Sequence, residues 1–508
     1  MTDNKIQHTF LSKTLSIIRL LKQWYEKLKP ILFSPTLIFF MLVLVVGGSN
    51  LLLNGEIILE SNGFGYEDGI EFREMVLDFP ARITSHQVLK YYVQRAFPSL
   101  ILYSSFKVLG MQPTDTDILF GFRAYNLLLL LISVVVWHQV AKEMKFSIFG
   151  EWAAFIGLFV NVFILKLYFY KPVLTDQTAF FLGVLLLYFY LRRQWVWFWI
   201  VVLIGAFTWQ TMIYYGIVLF LFSNEYPRLN KSFLLSYLRI DVILAALSVM
   251  FLLQNLQAGF AKGLQDKWWI LDKSVIYLSI LIVVIYLWVS LQTLLQNAQI
   301  YKFRDIMRSL ISLKSVLVIV ILAIVTIIIN TFGVDSTEHE YMRLFIKNAV
   351  NKSIGAPAVF LIAHVVYFGP IVLLTVFFWR RVVSYIQQYS IGLSLFFIGN
   401  IFLSLSSETR FLTAAFPFIV VFTVKALEKY ALKPSFLWLF FVVSLLFSKV
   451  WYRINVAWQD GFSQAYMMNY GPWISPEMYV VQGCAVLFGG MLLYYALHSL
   501  QVVQFCEE

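Results

Sequence analysis

The sequence predicts an all-α, polytopic transmembrane helix bundle. Hydrophobic residues make up 60% of the 508 and charged residues only 13%, whereas about a quarter of the residues in soluble domains are charged. The mean hydropathy is +0.76, and apolar runs of the roughly 20 residues that cross a bilayer recur along the chain. A chain this apolar cannot bury its side chains in one core, so lipid must be its solvent.

Basic residues exceed acidic ones, with 39 Lys and Arg against 28 Asp and Glu. In a membrane protein this excess indicates basic cytoplasmic loops, so we expect contact with membrane lipids and not with nucleic acid. Residues 1–30 alternate basic and apolar side chains, which predicts a cytoplasmic amphipathic segment on an anionic leaflet. The two cysteines, Cys484 and Cys506, provide neither a disulfide framework nor a thiolate metal site.

Thirteen apolar runs are candidate membrane spans. They are residues 33–54, 118–140, 148–167, 174–191, 195–222, 239–256, 275–295, 315–333, 358–379, 390–405, 412–428, 434–451 and 479–500. If every run crosses once, the basic loops after residue 222 fall outside, against the positive-inside rule. A pair of short helices in 195–222, turning at the polar stretch Thr208–Thr211, returns those loops to the inside. The sequence therefore predicts about 13–14 membrane segments with both termini cytoplasmic.

This topology divides the chain into three parts. The N-terminal segment 1–30 precedes a transmembrane module, residues 31–256, which contains a long first outer loop at 55–117. We expect that loop to carry amphipathic helices and to lie over an outward-facing cavity. Residues 257–508 form a second transmembrane module.

Polar residues collect on the predicted outer face. The first half of the outer loop is acidic, and later outer segments carry Lys171 and Asp176, the stretch Asp335–Arg343, and the short run Ser406–Phe411. Ionisable groups so close to hydrocarbon are costly, so they usually pair or serve function. The acidic members of the first loop are Glu56, Glu60, Glu67, Asp68, Glu71, Glu74 and Asp78.

Four short motifs resemble the GT-C superfamily of integral-membrane glycosyltransferases, and in particular its bacterial, mannosyltransferase-like members. They are Gly65-Tyr66-Glu67-Asp68-Gly69, Gln94-Arg95-Ala96-Phe97-Pro98-Ser99, Lys171-Pro172-Val173-Leu174-Thr175-Asp176, and Glu408-Thr409-Arg410-Phe411 followed by Ala415-Phe416-Pro417-Phe418. The chain departs from the family in having Gln177 where many bacterial members have Pro, and no large outer C-terminal domain.

The resemblance implies sugar transfer from a polyprenyl-phosphate donor to a saccharide, lipid or protein acceptor on the periplasmic face of a bacterial inner membrane. We expect Asp68, or alternatively Glu67, to act as the general base. Arg410 is the first choice for the donor phosphate, with Lys171 and Arg95 next and Glu408 beside Arg410. Asp176 is expected to orient the acceptor or to hold a divalent ion, Mg or Mn by its oxygen ligands, although nothing in the sequence requires a metal.

Each motif also has a purely structural interpretation. The acidic pair Glu67 and Asp68 fits a solvated loop, Glu408 and Arg410 fit a local salt bridge, and Asp176 fits the N-cap of the helix that follows it. Other functions stay open as well. One is a transporter or flippase of lipid-linked saccharides, although the sequence shows no inverted repeat; another is an O-antigen polymerase or ligase.

Overall fold

The computed structural model describes most of the chain. The described residues are 34–53, 55–58, 60–65, 67–223, 275–296, 310–335, 353–430, 433–451 and 476–505. The predicted segment 1–30, the predicted span 239–256 and most of the outer stretch Asp335–Arg343 lie outside these residues.

The described residues form helices, joined by short turns and by one isolated β-bridge between Leu89 and Val334. The helices are α1 (Pro35–Leu52), α2 (Glu67–Leu77), α3 (Phe79–Thr84), α4 (Lys90–Val93), α5 (Phe97–Val108), α6 (Asp115–Glu143), α7 (Ile148–Phe159), α8 (Phe163–Tyr170), α9 (Asp176–Leu191), α10 (Trp195–Ala206), α11 (Thr211–Leu221), α12 (Val275–Gln296), α13 (Leu313–Phe332), α14 (Val359–Phe368), α15 (Ile371–Phe377), α16 (Trp379–Tyr389), α17 (Ile391–Leu403), α18 (Phe416–Leu427), α19 (Pro434–Phe447) and α20 (Pro476–Phe505). Thr409–Leu412 forms a short 3₁₀ turn before α18.

Several of these helices are long and apolar enough to cross a membrane. Within the described ranges there are five, in α1, α6, α12, α13 and α20, or six if α7 and α8, bent by 53° where they meet, form one span. Shorter apolar helices pack among them, including α9 and α17. A bundle of apolar helices is the structure that satisfies backbone hydrogen bonds in lipid, and it indicates a multi-pass membrane protein.

The predicted break inside 195–222 is confirmed. Helices α10 and α11 are separated by residues 207–210 and pack side by side in opposite directions. A methyl group on Gly205 would meet Met212, and one on Gly216 would meet Val202, which is the pairing of an antiparallel hairpin. The polar turn therefore reverses the chain, as the distribution of basic loops required.

The predicted span at 358–379 is not one continuous helix. It is broken into α14 and α15 at Gly369 and Pro370, where Gly369 has a φ of +85°. A residue with positive φ cannot continue an α-helix, and the proline that follows supplies no amide hydrogen for the ladder. The predicted span 148–167 is likewise interrupted, by the bend between α7 and α8.

The predicted outer loop folds into the short helices α2 to α5. Ser99 donates a hydrogen bond of 3.2 Å to the carbonyl oxygen of Phe72, which ties α5 to α2. Arg82 binds both carboxylate oxygens of Glu71, at 2.8 and 2.6 Å. Lys90 donates its amide hydrogen to Val334 at 3.0 Å, so the loop is also joined to the end of α13. These contacts hold the loop against the bundle end on which the candidate site lies.

A methyl group at Gly183 is expected to destabilise the protein, although alanine normally stabilises a helix. The Cβ of an alanine there would lie 2.2 Å from the carbonyl oxygen of Ala414, and a backbone atom cannot move aside easily. Overpacking of this kind costs about 1–3 kcal/mol. We expect Gly183→Ala to lower the midpoint of thermal unfolding in detergent, measured by circular dichroism.

The matched control is Gly48→Ala in α1, whose Cβ would meet nothing within 4 Å. There the gain in helix propensity, about 0.5–1 kcal/mol, acts alone and should leave the midpoint unchanged or higher. Equal midpoints for the two variants would contradict the close approach of α9 to Ala414.

Candidate functional site

Asp68 lies in the first turn of α2 and is presented by a turn with two constrained glycines. Gly65 has a φ of +78°, and a Cβ on Gly69 would lie only 1.7 Å from the carbonyl oxygen of Phe64. The Asp68 side chain keeps 26% exposure and accepts a hydrogen bond of 3.3 Å from the Tyr91 hydroxyl. Burial raises the pKa of Tyr91, so this hydroxyl stays protonated and remains a donor.

Arg410 lies beside Asp68, although the two residues are far apart in the sequence. Its Nη1 is 3.9 Å from Oδ2 of Asp68, and its Nε donates to Oε1 of Glu408 at 2.8 Å. The local salt bridge foreseen between Glu408 and Arg410 is therefore present. It does not exclude a role in binding, because the guanidinium also faces a second carboxylate.

The charge of Arg410 is firmly held. Burial by itself opposes the charged form, but the carboxylates around it, Glu408 and Asp176 first, outweigh that effect and hold the pKa of Arg410 well above its ordinary value. A guanidinium that stays protonated at any working pH can serve as a permanent counter-ion for a phosphate.

Asp176 is the first residue of α9 and is almost completely buried, with 3% exposure. Its predicted role as N-cap is wrong, because Thr175 occupies the N-cap and no side chain caps this helix. Neither carboxylate oxygen of Asp176 accepts a hydrogen bond from another residue in the described ranges. Buried polar groups are rarely left without a hydrogen bond, and here the charges of Arg410 and Arg95 favour the ionised form of Asp176 against its burial.

Arg95 is buried between two aromatic rings. Its guanidinium carbon lies 4.2 Å from the centroid of the Tyr91 ring and 4.6 Å from that of Trp209. The side chain is 2% exposed in total, and Nε and Nη1 have no hydrogen-bond acceptor among the described residues. Stacking fixes the plane of the guanidinium, and each unsatisfied donor costs about 1–3 kcal/mol unless a ligand supplies the acceptor.

Arg95 and Arg410 line one cavity of about 800 Å³, here called the site cavity. Its polar lining also includes Gln94, Glu408 and the ion pair of Lys90 with Asp335, 2.9 Å apart. Away from that end the walls are mainly apolar and are contributed by α11 and α17, the lining residues there being Tyr214, Tyr215, Val218, Leu395, Phe396, Gly399 and Leu403. The cavity thus matches an amphiphile with an anionic head and an apolar chain.

The structure brings together most, but not all, of the predicted site residues. Asp68, Arg95, Asp176, Glu408 and Arg410 form one cluster, which we call the site cluster. Asp68, Asp176 and Lys171 do not line the site cavity in the described structure, although Asp68 and Asp176 interact with Arg410. The Lys171 carbonyl oxygen accepts a 2.9 Å hydrogen bond from Gln177. Glu67 begins α2, and the position of its side chain lies outside what the structure describes.

Two residues of the site escaped the sequence analysis. Tyr91 donates a hydrogen bond to Asp68 and contacts the Arg95 guanidinium through its ring, and the ring of Trp209 also contacts that guanidinium. A signal was available for each. Tyr91 precedes Arg95 by four residues in the outer loop, and Trp209 belongs to the polar turn that was predicted to interrupt the run 195–222.

Carboxylates such as those of the site cluster are potential ligands for Mg or Mn. Among the described residues, no group of three or more His, Cys, Asp and Glu side chains is arranged to hold a metal ion. Asp68, Glu408 and Asp176 all interact with the charge of Arg410. In this geometry arginine supplies the positive charge beside the carboxylates.

Comparisons with known proteins identify no relative. No protein-family model matches the sequence, and neither a curated protein nor a solved structure matches the chain.

Proposed function

We propose that this protein is a membrane glycosyltransferase of the GT-C type, which transfers a sugar from a polyprenyl-phosphate donor to an acceptor outside the cytoplasm. The observation that carries the proposal is the site cavity, in which two arginines mark one end and mainly apolar walls follow. A polyprenyl-phosphate sugar likewise has a charged end and an apolar end, because its anionic phosphate lies next to the sugar and a long apolar chain follows.

The arginines are assigned to the phosphate. The Nε and Nη1 donors of Arg95, which lack acceptors among the described residues, and the permanently charged guanidinium of Arg410 suit the binding of phosphate oxygens. Their positive charge would stabilise the polyprenyl phosphate as it leaves. Glu408, bound to Nε of Arg410, positions that guanidinium.

Asp68 is assigned the role of general base, which accepts the proton of the acceptor hydroxyl. In a single displacement the acceptor oxygen forms a bond to C1 of the sugar while the bond from C1 to the phosphate oxygen breaks. The bonding electrons leave with polyprenyl phosphate, and the acceptor proton passes to Asp68, with inversion at C1. The exposure of Asp68 lets a hydroxyl acceptor approach its carboxylate. The Tyr91 hydroxyl donates a hydrogen bond to Oδ2 of Asp68 and so fixes the orientation of that carboxylate.

The distribution of basic loops supports a location for this reaction. It assigns the site cluster to the outer face of the membrane and both termini to the cytoplasm. In a bacterial inner membrane the acceptor would be a saccharide, lipid or protein of the cell envelope.

The proposal is tested by giving the purified protein, in lipid nanodiscs, a panel of polyprenyl-phosphate sugars with glycan, lipid and peptide acceptors, and measuring sugar transfer by mass spectrometry. We expect transfer with release of polyprenyl phosphate. In parallel, liposomes containing the protein would report any movement of the lipid-linked sugar between leaflets. Movement without transfer would establish the flippase instead, and polymerisation of the lipid-linked glycan itself would establish the polymerase.

Filling the apolar part of the site cavity is expected to weaken donor binding. Gly399 lines that part, and a Cβ added there meets nothing within 4 Å, so a large side chain enters the cavity without strain. We expect Gly399→Phe to raise the KM for the donor about tenfold and to leave kcat nearly unchanged. Initial rates over a range of donor concentrations measure both constants.

The matched control is Gly48→Phe, at a helix position that also has free space but lies away from the site cavity. It should leave KM unchanged. If Gly399→Phe also leaves KM unchanged, the donor chain does not lie between α11 and α17.

A further inference from the structure

Two further cavities lie on the other side of α17 from the site cavity. One, of about 350 Å³, is mainly apolar and runs along α17 from Ser404 towards Trp379. The other, of about 450 Å³, is bordered by Arg380, Arg381 and His498. The two cavities share Val289, Val376 and Trp379 in their walls, so they adjoin.

The basic cavity lies at the opposite end of the bundle from Asp68. Helix α18 begins at Phe416, shortly after Arg410, and ends at Leu427, shortly before Tyr430. Its 12 residues span about 18 Å at 1.5 Å per residue. The guanidinium of Arg381 contacts the Tyr430 ring, so it is separated from Arg410 by about the length of α18.

Helix α16 is amphipathic. Val382, Val383 and Ile386 are buried on one face, while Arg380 is exposed. The helix is fixed to the end of α12 by hydrogen bonds from Trp379 to the Ser290 carbonyl at 3.2 Å and from Gln387 to the Leu294 carbonyl at 2.8 Å. The apolar face of α16 therefore packs on the bundle, and its basic residues are left at the border of the cavity.

The lining charges around this cavity have one sign. The charged side chains among its described lining residues are Arg380 and Arg381, and no carboxylate lines it. Arg381 stacks on Tyr430, with its guanidinium carbon 4.2 Å from the ring centroid, and within the described ranges neither Arg380 nor Arg381 forms an ion pair with a carboxylate. Stacking orients a guanidinium but leaves its charge uncompensated, so an anion is the expected complement.

The adjoining apolar cavity contains one polar group that also lacks a partner. His364 is 4% exposed, and its Nε2 lies 2.7 Å from the Ser404 carbonyl oxygen. Its Nδ1 has no partner among the described residues. Because Nε2 donates to the carbonyl, Nδ1 is an acceptor. His364 lines a cavity whose other walls are largely apolar.

We propose that these two cavities together bind one anionic glycerophospholipid, with its phosphate between Arg380, Arg381 and His498 and an acyl chain in the apolar cavity beside α17. The positive charges of Arg380 and Arg381 favour an anionic headgroup, and the apolar lining of the adjoining cavity favours an acyl chain. The lipid would connect α12, α16 and α20, because each of these helices contributes to the basic cavity. This site is independent of sugar transfer and lies at the other end of the bundle.

The test is lipid-dependent thermal stability of the full-length protein in mixed micelles. Phosphatidylglycerol should raise the unfolding midpoint of the wild type by several degrees, and phosphatidylcholine and inorganic phosphate should not. The double variant Arg380→Gln and Arg381→Gln should bind phosphatidylglycerol about tenfold more weakly or worse, since each basic residue contributes about 1 kcal/mol near an anionic surface. Native mass spectrometry measures the bound lipid directly.

The control is Arg192→Gln with Arg193→Gln, which removes the same charge from another part of the chain. It should keep the full response to phosphatidylglycerol. The proposal is overturned if both double variants lose the response equally, or if phosphatidylcholine or inorganic phosphate stabilises the wild type as much. Displacement of phosphatidylglycerol by low concentrations of polyprenyl phosphate would overturn it too, in favour of a second substrate site.

Discussion

Replacing Arg410 by alanine is expected to reduce kcat/KM for sugar transfer by about 100-fold or more, and replacing it by lysine by about tenfold. Alanine removes the charge that faces Asp68 and Glu408, together with the proposed contact to the phosphate. Lysine restores a positive charge but not the planar fork of donors that can bind two oxygens at once. The ratio between the variants therefore measures how much of the effect depends on geometry.

The measurement is transfer kinetics in nanodiscs, with thermal unfolding of each variant recorded alongside. Arg82→Lys is the control, since Arg82 also makes a bidentate contact to a carboxylate at the same end of the molecule but lies outside the site cluster. It should retain nearly full activity. A folded Arg410→Ala variant with the turnover of the wild type would remove Arg410 from the phosphate site.

Replacing Asp68 by asparagine is expected to lower kcat by about 10²- to 10⁴-fold, the usual contribution of a positioned general base. Asparagine preserves the shape of the side chain and can still accept a hydrogen bond from Tyr91, but it cannot take the acceptor proton. The donor KM should change little, because Arg95 and Arg410 still line the site cavity. Single-turnover experiments separate the chemical step from donor binding.

Asp115→Asn provides the matched control, because Asp115 is a more exposed carboxylate that pairs with Arg73 at 2.6 Å outside the site cluster. The parallel variants Asp176→Asn and Glu67→Gln distinguish the remaining candidates for the base. If Asp68→Asn retains its turnover and one of these loses it, the base is that residue. Loss only in Asp176→Asn would fit its burial and its lack of a partner among the described residues.

The residues of the site cluster could be named from the sequence, but their mutual contacts could not. Glu408 and Arg410 are neighbours in the chain, so their pairing was foreseeable as a local event. The approach of Asp68 to Arg410 depends instead on the packing of the outer-loop helices against the bundle. The same packing determines that Arg95 lines the site cavity and Lys171 does not. It also brings the rings of Tyr91 and Trp209 into contact with the Arg95 guanidinium.

The sequence by itself determined the membrane-type helical composition and the hairpin at 207–210, because hydropathy and a polar interruption are properties of consecutive residues. It did not determine the break at Gly369 and Pro370, the burial of Asp176 or the site cavity between α11 and α17. Only the tertiary structure decided these features. An apolar run specifies that a helix contacts apolar surroundings, but lipid and a neighbouring helix are equally apolar. Which helices become neighbours therefore depends on the shapes of side chains throughout the bundle.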